Sequence, residues 1–440
     1  MHPTEIPEVW LKVNACEAFL PLATSFVEKA VLAFGLGESE ALALTLATEE
    51  VFSHLYRVAL PHGGTVEIHA SRGGYFVRVD FSFPYAELNL RAFNLTTTVC
   101  LEDETCLEEI NLLLASRAVD RFQISREKGS RLRLTLIKEK RYPSLVPDLK
   151  FSVRPLTDFA VRSPNPEELK LFVNLVRKIY PLQVLPDFFG YAGKVVDMYI
   201  AGECHAALAV GPGDEIGGGI LWLPRGRKTI ECFGPYTFAP SQGSTMPQAL
   251  LESCLVANAR SHAVGLLNRL PSPDFPETQF ESLGKITLYD KEGGVCRLNA
   301  WFRLLQEDLG SSVWVHPQLE DFLRQEYQRL VLPRAIQLEQ YQGEKRSPHS
   351  VLAAEFNRSQ KQVILRPIWS GEDLGDNLAR HLRLLEQEGI PNIFFEMDLG
   401  QSWQADFTPA LLENKFQPRL ILPYGGDGDV VVFQWERSTP

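Results

Sequence analysis

The sequence predicts an α+β chain: an N-terminal α/β sandwich followed by two mixed-sheet domains. Three observations predict it. Segments of helical period alternate with segments of strand period along the whole chain. A stretch at Tyr142-Pro143-Ser144-Leu145-Val146-Pro147-Asp148 carries two prolines that suit neither a helix nor a central strand. The order of elements after that boundary is partly repeated in the last section, as an internal duplication would produce. With 440 residues and roughly 100–200 residues per domain, several domains are required. The reading is 1–141, 149–299 and 300–440.

In the first domain, Glu8–Val13 alternates as a strand. Cys16–Phe34 places Phe19, Ala23, Phe26, Val27, Ala30 and Val31 on one helical stripe. Gly35-Leu36-Gly37 ends that helix, and Ser39 starts another that runs to about Ala59. Thr65–Ala70 and Tyr75–Phe81 form a hairpin around Arg72-Gly73-Gly74. A helix from about Thr105 to Val119 precedes two more strands, Arg121–Arg126 and Arg131–Lys138.

In the second domain, helices Pro166–Tyr180 and Tyr191–Ala201 lead into strands Cys204–Val210, Gly218–Leu223 and Thr229–Phe238. Helix Met246–His262, strand Val264–Leu270 and a short helix ending at Leu283-Gly284 follow. In the third, strand Val363–Ile368, helix Asp373–Gln387, strand Asn392–Met397, helix Ala405–Asn414 and strands Arg419–Leu422 and Val430–Trp435 echo that order. Glu339–His349 is polar and loop-like.

Composition narrows the function. A hydrophobic fraction of 45% with 22% charged residues is globular, and the net charge of −11 disfavours a nucleic-acid surface. The local exception is a basic strip: Arg121, Arg126, Lys128, Arg131, Arg133, Lys138, Lys140 and Arg141. No apolar run is long enough to cross a membrane and no signal peptide opens the chain, so the expectation is a cytoplasmic protein. Seven cysteines without a CxxC, and nine histidines without an HxxxH or HExxH pair, point to thiols and to no metal centre. Gly425-Gly426-Asp427-Gly428-Asp429 lacks the spaced carboxylates of a calcium loop and reads as a hairpin turn.

On Ser39–Ala59, Glu50, His54 and Arg57 share one stripe. Spacing alone makes them a surface row, worth a few tenths of a kcal/mol per pair. Together with Leu46-Ala47-Thr48-Glu49-Glu50-Val51-Phe52-Ser53-His54, the element order of residues 8–140 resembles the GHKL (histidine-kinase-like) ATPases, in their anti-sigma-factor serine kinase branch. The resemblance implies that Glu50 is the Glu that prepares the attacking water or hydroxyl. His54 stands where that family has the Asn that holds magnesium. Asp80 matches the Asp that reads the adenine amino group, with Ser82 in place of a family glycine. Glu109-Ile110-Asn111 stands where a Gly-x-Gly would cradle phosphates, and Glu109 would repel them. Gly129 keeps the last box. Glu50 is thus vestigial, and the domain is expected neither to hydrolyse ATP nor to hold it firmly.

Residues 151–290 resemble the GNAT acyltransferases: helices, three antiparallel strands, a loop, a helix, a strand and a helix. The loop Pro240-Ser241-Gln242-Gly243-Ser244-Thr245-Met246 matches the family's pyrophosphate loop. The resemblance implies that Gln242, Gly243, Ser244 and Thr245 face CoA, although Thr245 replaces a family glycine. Phe280 stands where the family has its proton-donating Tyr, with Tyr289 a few residues on. Residues 300–437 look like a second, more diverged unit of the same kind.

Two functions follow from these resemblances. One is a regulatory protein that works by protein or small-molecule binding through modules that have lost their chemistry. The other is a CoA-dependent N-acyltransferase under a nucleotide-sensing domain, with acetyl-CoA or CoA a better cofactor than ATP. A protein partner or self-association is expected, through the kinase-like domain and its basic strip.

Overall fold

The computed structural model describes residues 7–60, 64–84, 94, 112, 114–127, 131–143, 156, 158–238, 244–289, 294–339, 343, 346–357 and 360–436. These form an α+β protein with several mixed sheets. Two compact units divide the chain. Unit 1 is Met1–Arg141 with Arg346–Ala353 and Ile368–Asn377; unit 2 is Tyr142–Lys345 with Ala354–Pro367 and Leu378–Pro440.

Unit 1 holds β1 (Glu8–Asn14), α1 (Leu20–Ala33), α2 (Glu38–His54), β2 (Thr65–Arg72), β3 (Phe76–Pro84), β4 (Arg121–Glu127) and β5 (Arg131–Glu139). The strands form one antiparallel sheet in the order β1-β2-β3-β5-β4. Period-two alternation gives the sheet two chemically different faces. Val77, Val79, Phe81 and Phe83 of β3 join Val27 of α1 and Ala47 and Val51 of α2 in one buried cluster. The opposite face carries Trp10, His69, Asp80, Thr135 and Gln123 as one row across all five strands. α2 ends in a wider π-type turn, Leu55–Ala59, directly after His54.

The later segments complete this core, because Val351 and Trp369 belong to the same cluster. Asn94 fastens them. Its Nδ2 donates to Ser350 O at 2.7 Å, while its Oδ1 accepts from Leu352 N and Asn377 Nδ2, both at 3.0 Å. All of this is buried, so Asn94→Ala leaves polar groups without partners. The expected cost is about 1–3 kcal/mol, read as a lower urea midpoint with the slope unchanged.

Unit 2 contains β6 (Ala160–Arg162), α3 (Pro166–Ile179), α4 (Ala192–Ile200), β7 (His205–Val210), β8 (Ile216–Arg225), β9 (Thr229–Thr237), α5 (Met246–Asn258), β10 (Gly265–Asn268), β11 (Glu281–Tyr289) and β12 (Val295–Leu304). α3 starts with a full capping box, Asn165 with Glu168, and Pro166 at its first position. These strands make a seven-stranded sheet, β11-β12-β10-β9-β8-β7-β6.

A two-stranded parallel ribbon follows, β13 (Ser311–Val315) and β14 (Arg334–Leu338), bridged by α6 (Pro317–Arg329). Then come β15 (Val351–Asn357), β16 (Gln362–Trp369), α7 (Leu374–Gln387), β17 (Asn392–Asp398), α8 (Phe407–Glu413), β18 (Phe416–Leu422) and β19 (Val430–Trp435), in the order β15-β16-β17-β19-β18. This permutation repeats β8-β9-β10-β12-β11. In both sheets the second and third strands are parallel and the third, fifth and fourth antiparallel. Even the irregularities correspond: β11 bulges between Ser282 and Gly284, β18 between Pro418 and Leu420.

Most of the helix expected from about Thr105 to Val119 lies outside the described residues, and among the described residues one element differs in kind from the sequence reading. The short helix expected to end at Leu283-Gly284 is the start of β11, preceded only by a 3-10 turn at Glu277–Gln279. Pairing with β12 satisfies backbone groups that a single helical turn would leave open. Gly284, at φ +130°, sits where any Cβ would lie 2.4 Å from Arg419 O. Among the described residues no helix is long and apolar enough to cross a membrane.

Candidate functional site

In unit 1 the residues matched to a nucleotide site lie on two faces of the sheet. Glu50 and His54 sit on α2, on the helix-covered side. His54 is buried, and Glu50 is partly exposed, its carboxyl pushed up by burial and by Glu49 against the pull of Arg57. Asp80 alternates with Val79 and Phe81 and therefore occupies the helix-free face. Its carboxylate receives Arg78 Nε at 3.0 and 2.8 Å and the Thr135 hydroxyl, with His69 Nδ1 at 3.7 Å. Ser82 donates to Glu127 and accepts from Arg131 Nε at 3.2 Å. The structure does not bring Asp80 together with Glu50 and His54. Glu109, Asn111 and Gly129 lie outside the described residues.

The basic strip is largely balanced where it can be seen. Arg121 pairs with Glu139 at 3.2 Å, Arg131 with Glu67 at 3.6 Å and Glu127 at 3.8 Å, Arg133 with Glu127, and Lys138 with Asp120 at 3.2 Å. Such exposed pairs contribute about 0–1 kcal/mol each.

Unit 2 holds the more developed arrangement. β9 and β10 run parallel and pair only at Thr229↔Gly265, Ile230↔Leu266 and Glu231↔Leu267, after which they part. Beyond Glu231 the backbone of β9 faces a gap instead of a neighbouring strand, and buried groups there need partners. The chain supplies them. Asn268, the last residue of β10, donates Nδ2 to Gly234 O at 2.9 Å, and Ser272 Oγ donates to Pro235 O. Thr237 N donates to the Tyr180 hydroxyl at 2.7 Å, which donates in turn to Asp274 Oδ2. The Thr237 hydroxyl reaches the same oxygen at 2.8 Å. Burial, then Asp274, push the Tyr180 phenol far above its ordinary value. Behind these groups Tyr236 is fully buried, its ring 4.9 Å from that of Tyr180 and 6.3 Å from that of Phe172.

The residues read as CoA-facing sit at the start of α5. Ser244 Oγ accepts from Met246 N at 3.3 Å, and Thr245 precedes the helix without a side-chain cap. Gln242 and Gly243 lie outside the described residues. Phe280 is buried against Phe275, ring centroids 4.8 Å apart. Tyr289 ends β11, its backbone clasped at both N–H and C=O by the Asn392 amide at 2.8 Å.

The loop Gly425–Asp429 holds an anion of the protein's own: Asp398 accepts from Asp427 N at 2.7 Å and from Gly428 N and Gly400 N at 2.9 Å. Among the described residues no group of three or more His, Cys, Asp or Glu side chains is placed to hold a metal ion.

The sequence reading did not single out Tyr180, Asn268, Ser272 or Asp274. A polar residue closing the apolar strand Gly265–Asn268 was the one available signal, and nothing local told that Tyr180, from α3's C-terminus, would reach Thr237 and Asp274.

No protein-family model matches the chain, and no curated protein matches it. Solved structures similar to part of it include a GNAT-family acetyltransferase from Staphylococcus aureus, 12% identical over 34% of this chain and 100% of that one, with a TM-score of 0.26. A phosphinothricin acetyltransferase from Sinorhizobium meliloti, in complex with AcCoA, is 13% identical over 34% and 89%, with a TM-score of 0.28. An aminoglycoside 6'-acetyltransferase type Ii is 16% identical over 34% and 98%, with a TM-score of 0.27.

Proposed function

We propose that this chain is a binding and regulatory protein whose seven-stranded module keeps the layout of an acyltransferase without its chemistry. The observation that carries the reading is the occupied gap between β9 and β10. The carbonyls of Gly234 and Pro235 and the N–H of Thr237 are bonded to Asn268, Ser272 and Tyr180. An extended thiol ligand laid along β9 would have to displace these bonds and match them, at about 1–3 kcal/mol for each group left unmade. Acyl transfer also needs a proton for the departing thiolate, and Phe280 cannot give one.

The second reading is a CoA-dependent N-acyltransferase. One observation favours it: β9 and β10 run parallel, pair as far as Glu231↔Leu267 and then part.

Thermal unfolding with acetyl-CoA, CoA, ATP and ADP separates the two. A ligand at about 100 times its dissociation constant stabilises by about 2.7 kcal/mol, a shift of several degrees. The expected result is no shift with any of the four and no acetyl-CoA-dependent thiol release with polyamine, aminoglycoside or peptide amines. A shift with acetyl-CoA together with thiol release would replace this function by the second.

A further inference from the structure

Along the outer edge of β1, backbone groups of unit 1 have no partner among the described residues. β1 pairs with β2 and, among the described residues, with no other strand. The bonds Arg72 N to Pro7 O at 3.1 Å and Ala15 N to Gly64 O at 2.7 Å fix the phase of that pairing. Odd-numbered residues exchange bonds with β2. The N–H and C=O groups of Glu8, Trp10, Lys12 and Asn14 therefore point outward, and no described residue bonds them. Edge strands are usually blunted by proline, a bulge or a central charge. Glu8-Val9-Trp10-Leu11-Lys12-Val13-Asn14 has neither proline nor bulge, and Val9-Trp10-Leu11 at its centre is apolar; its flanking charges each also meet a side chain of β2, Glu8 with His69 at 3.1 Å and Lys12 with Glu67 at 2.8 Å. Trp10 is 62% exposed even though its ring lies flat on His69, centroids 4.7 Å apart.

We propose that β1 pairs with β1 of a second copy of this chain, antiparallel about a two-fold axis at Trp10. The charges select that register. With Trp10 opposite its copy, Glu8 faces the partner's Lys12 and Lys12 the partner's Glu8, both on the helix-free face. The outward N–H and C=O groups of residues 8, 10 and 12 then meet as hydrogen-bonded pairs. A slip of two residues in either direction breaks both ion pairs. On the helix side the same register sets Val9 against the partner's Leu11. The contact is isologous and closes at two copies, joining two five-stranded sheets into one of ten. It does not depend on whether unit 2 binds CoA.

Sedimentation equilibrium of the full chain over a range of concentrations tests this. The wild type is expected to reach twice the monomer mass. Lys12→Glu sets like charges opposite twice per dimer and is expected to raise the dissociation constant roughly tenfold or more. The double variant Glu8→Lys, Lys12→Glu restores the pairing with the signs exchanged and is expected to return to within a few-fold of wild type. Both positions are solvent-exposed, and circular dichroism confirms the fold of each variant. Three outcomes overturn the proposal. One is a wild type that stays monomeric throughout. Another is a dimer indifferent to Lys12→Glu. The third is a chain that dimerises only after residues 1–6 are removed, which would make those residues the occupant of the edge.

Discussion

Glu396→Ala is expected to lower the stability of unit 2 by about 3–5 kcal/mol, the usual penalty for removing one partner of a buried charge cluster. Glu396 accepts from Arg225 Nη2 at 3.1 Å, Arg269 Nη1 at 3.3 Å and Arg366 Nε at 2.8 Å. Glu231 takes the other arms of Arg225 and Arg269, the latter at 2.6 and 3.2 Å, and Arg366 also reaches Glu355. Burial would push the Glu396 carboxyl up, but Arg366, Arg225 and Arg269 outweigh it and hold it well below the carboxylate range. Glu231 is likewise held low, by Arg269 and Arg225 against burial. The sign of the pH dependence follows. A carboxyl whose folded value is depressed contributes stability that is present above its unfolded value, about 4.3, and is lost as pH falls through the folded one. The wild-type melting temperature is therefore expected to fall on acidification below about pH 4.5, and Glu396→Gln to flatten that slope. A full-strength acid dependence in Glu396→Gln would remove Glu396 as its source.

Arg334→Ala is expected to cost as much, again about 3–5 kcal/mol, but with the opposite response to acid. The Arg334 side chain is fully buried, giving Nε to Asp429 at 2.7 Å and Nη1 to Asp308 at 2.7 Å, with its guanidinium 4.5 Å from the Tyr424 ring centre. Tyr424 donates its hydroxyl to Asp308 and its backbone N–H to Asp429, the latter at 2.8 Å. Without the guanidinium two buried carboxylates face each other. Burial raises the Asp308 carboxyl while Tyr424 and Arg334 hold it below its ordinary value; losing Arg334 removes part of that hold, so protonation relieves part of the loss. The gap in urea midpoint between wild type and Arg334→Ala should narrow as pH falls from 7 towards 5. Arg334→Lys should recover only part of the loss, since an ammonium cannot span both carboxylates as the guanidinium fork does.

Much of the fold was legible because it depends on local periodicity. The alternation of Thr65–Ala70, the stripe of α1 and the apolar strand Val430–Trp435 are properties of consecutive residues, and the structure places elements at each. The repeated element order was legible too, but the strand order of the second sheet, which repeats part of the first, is a matter of pairing that the structure supplies.

What the sequence by itself could not determine was which side chains meet. A motif match put Glu50, His54 and Asp80 in one site. Strand alternation and the packing of α2 put Asp80 on the far face of the sheet, a matter of which neighbours cover β3 and not of spacing along it. A loop match drew attention to residues 242–245. The groups that close the gap came from Tyr180, Asn268, Ser272 and Asp274, up to 94 positions apart. The same holds for Glu231 and Glu396, two carboxylates in apolar strands that meet through Arg225 and Arg269. Periodicity is written in neighbouring residues, so the sequence determined the elements and their order. Hydrogen bonds and ion pairs between distant segments exist only once the sheets have formed, so tertiary structure alone decided whether the gap beside β9 stands open or is filled.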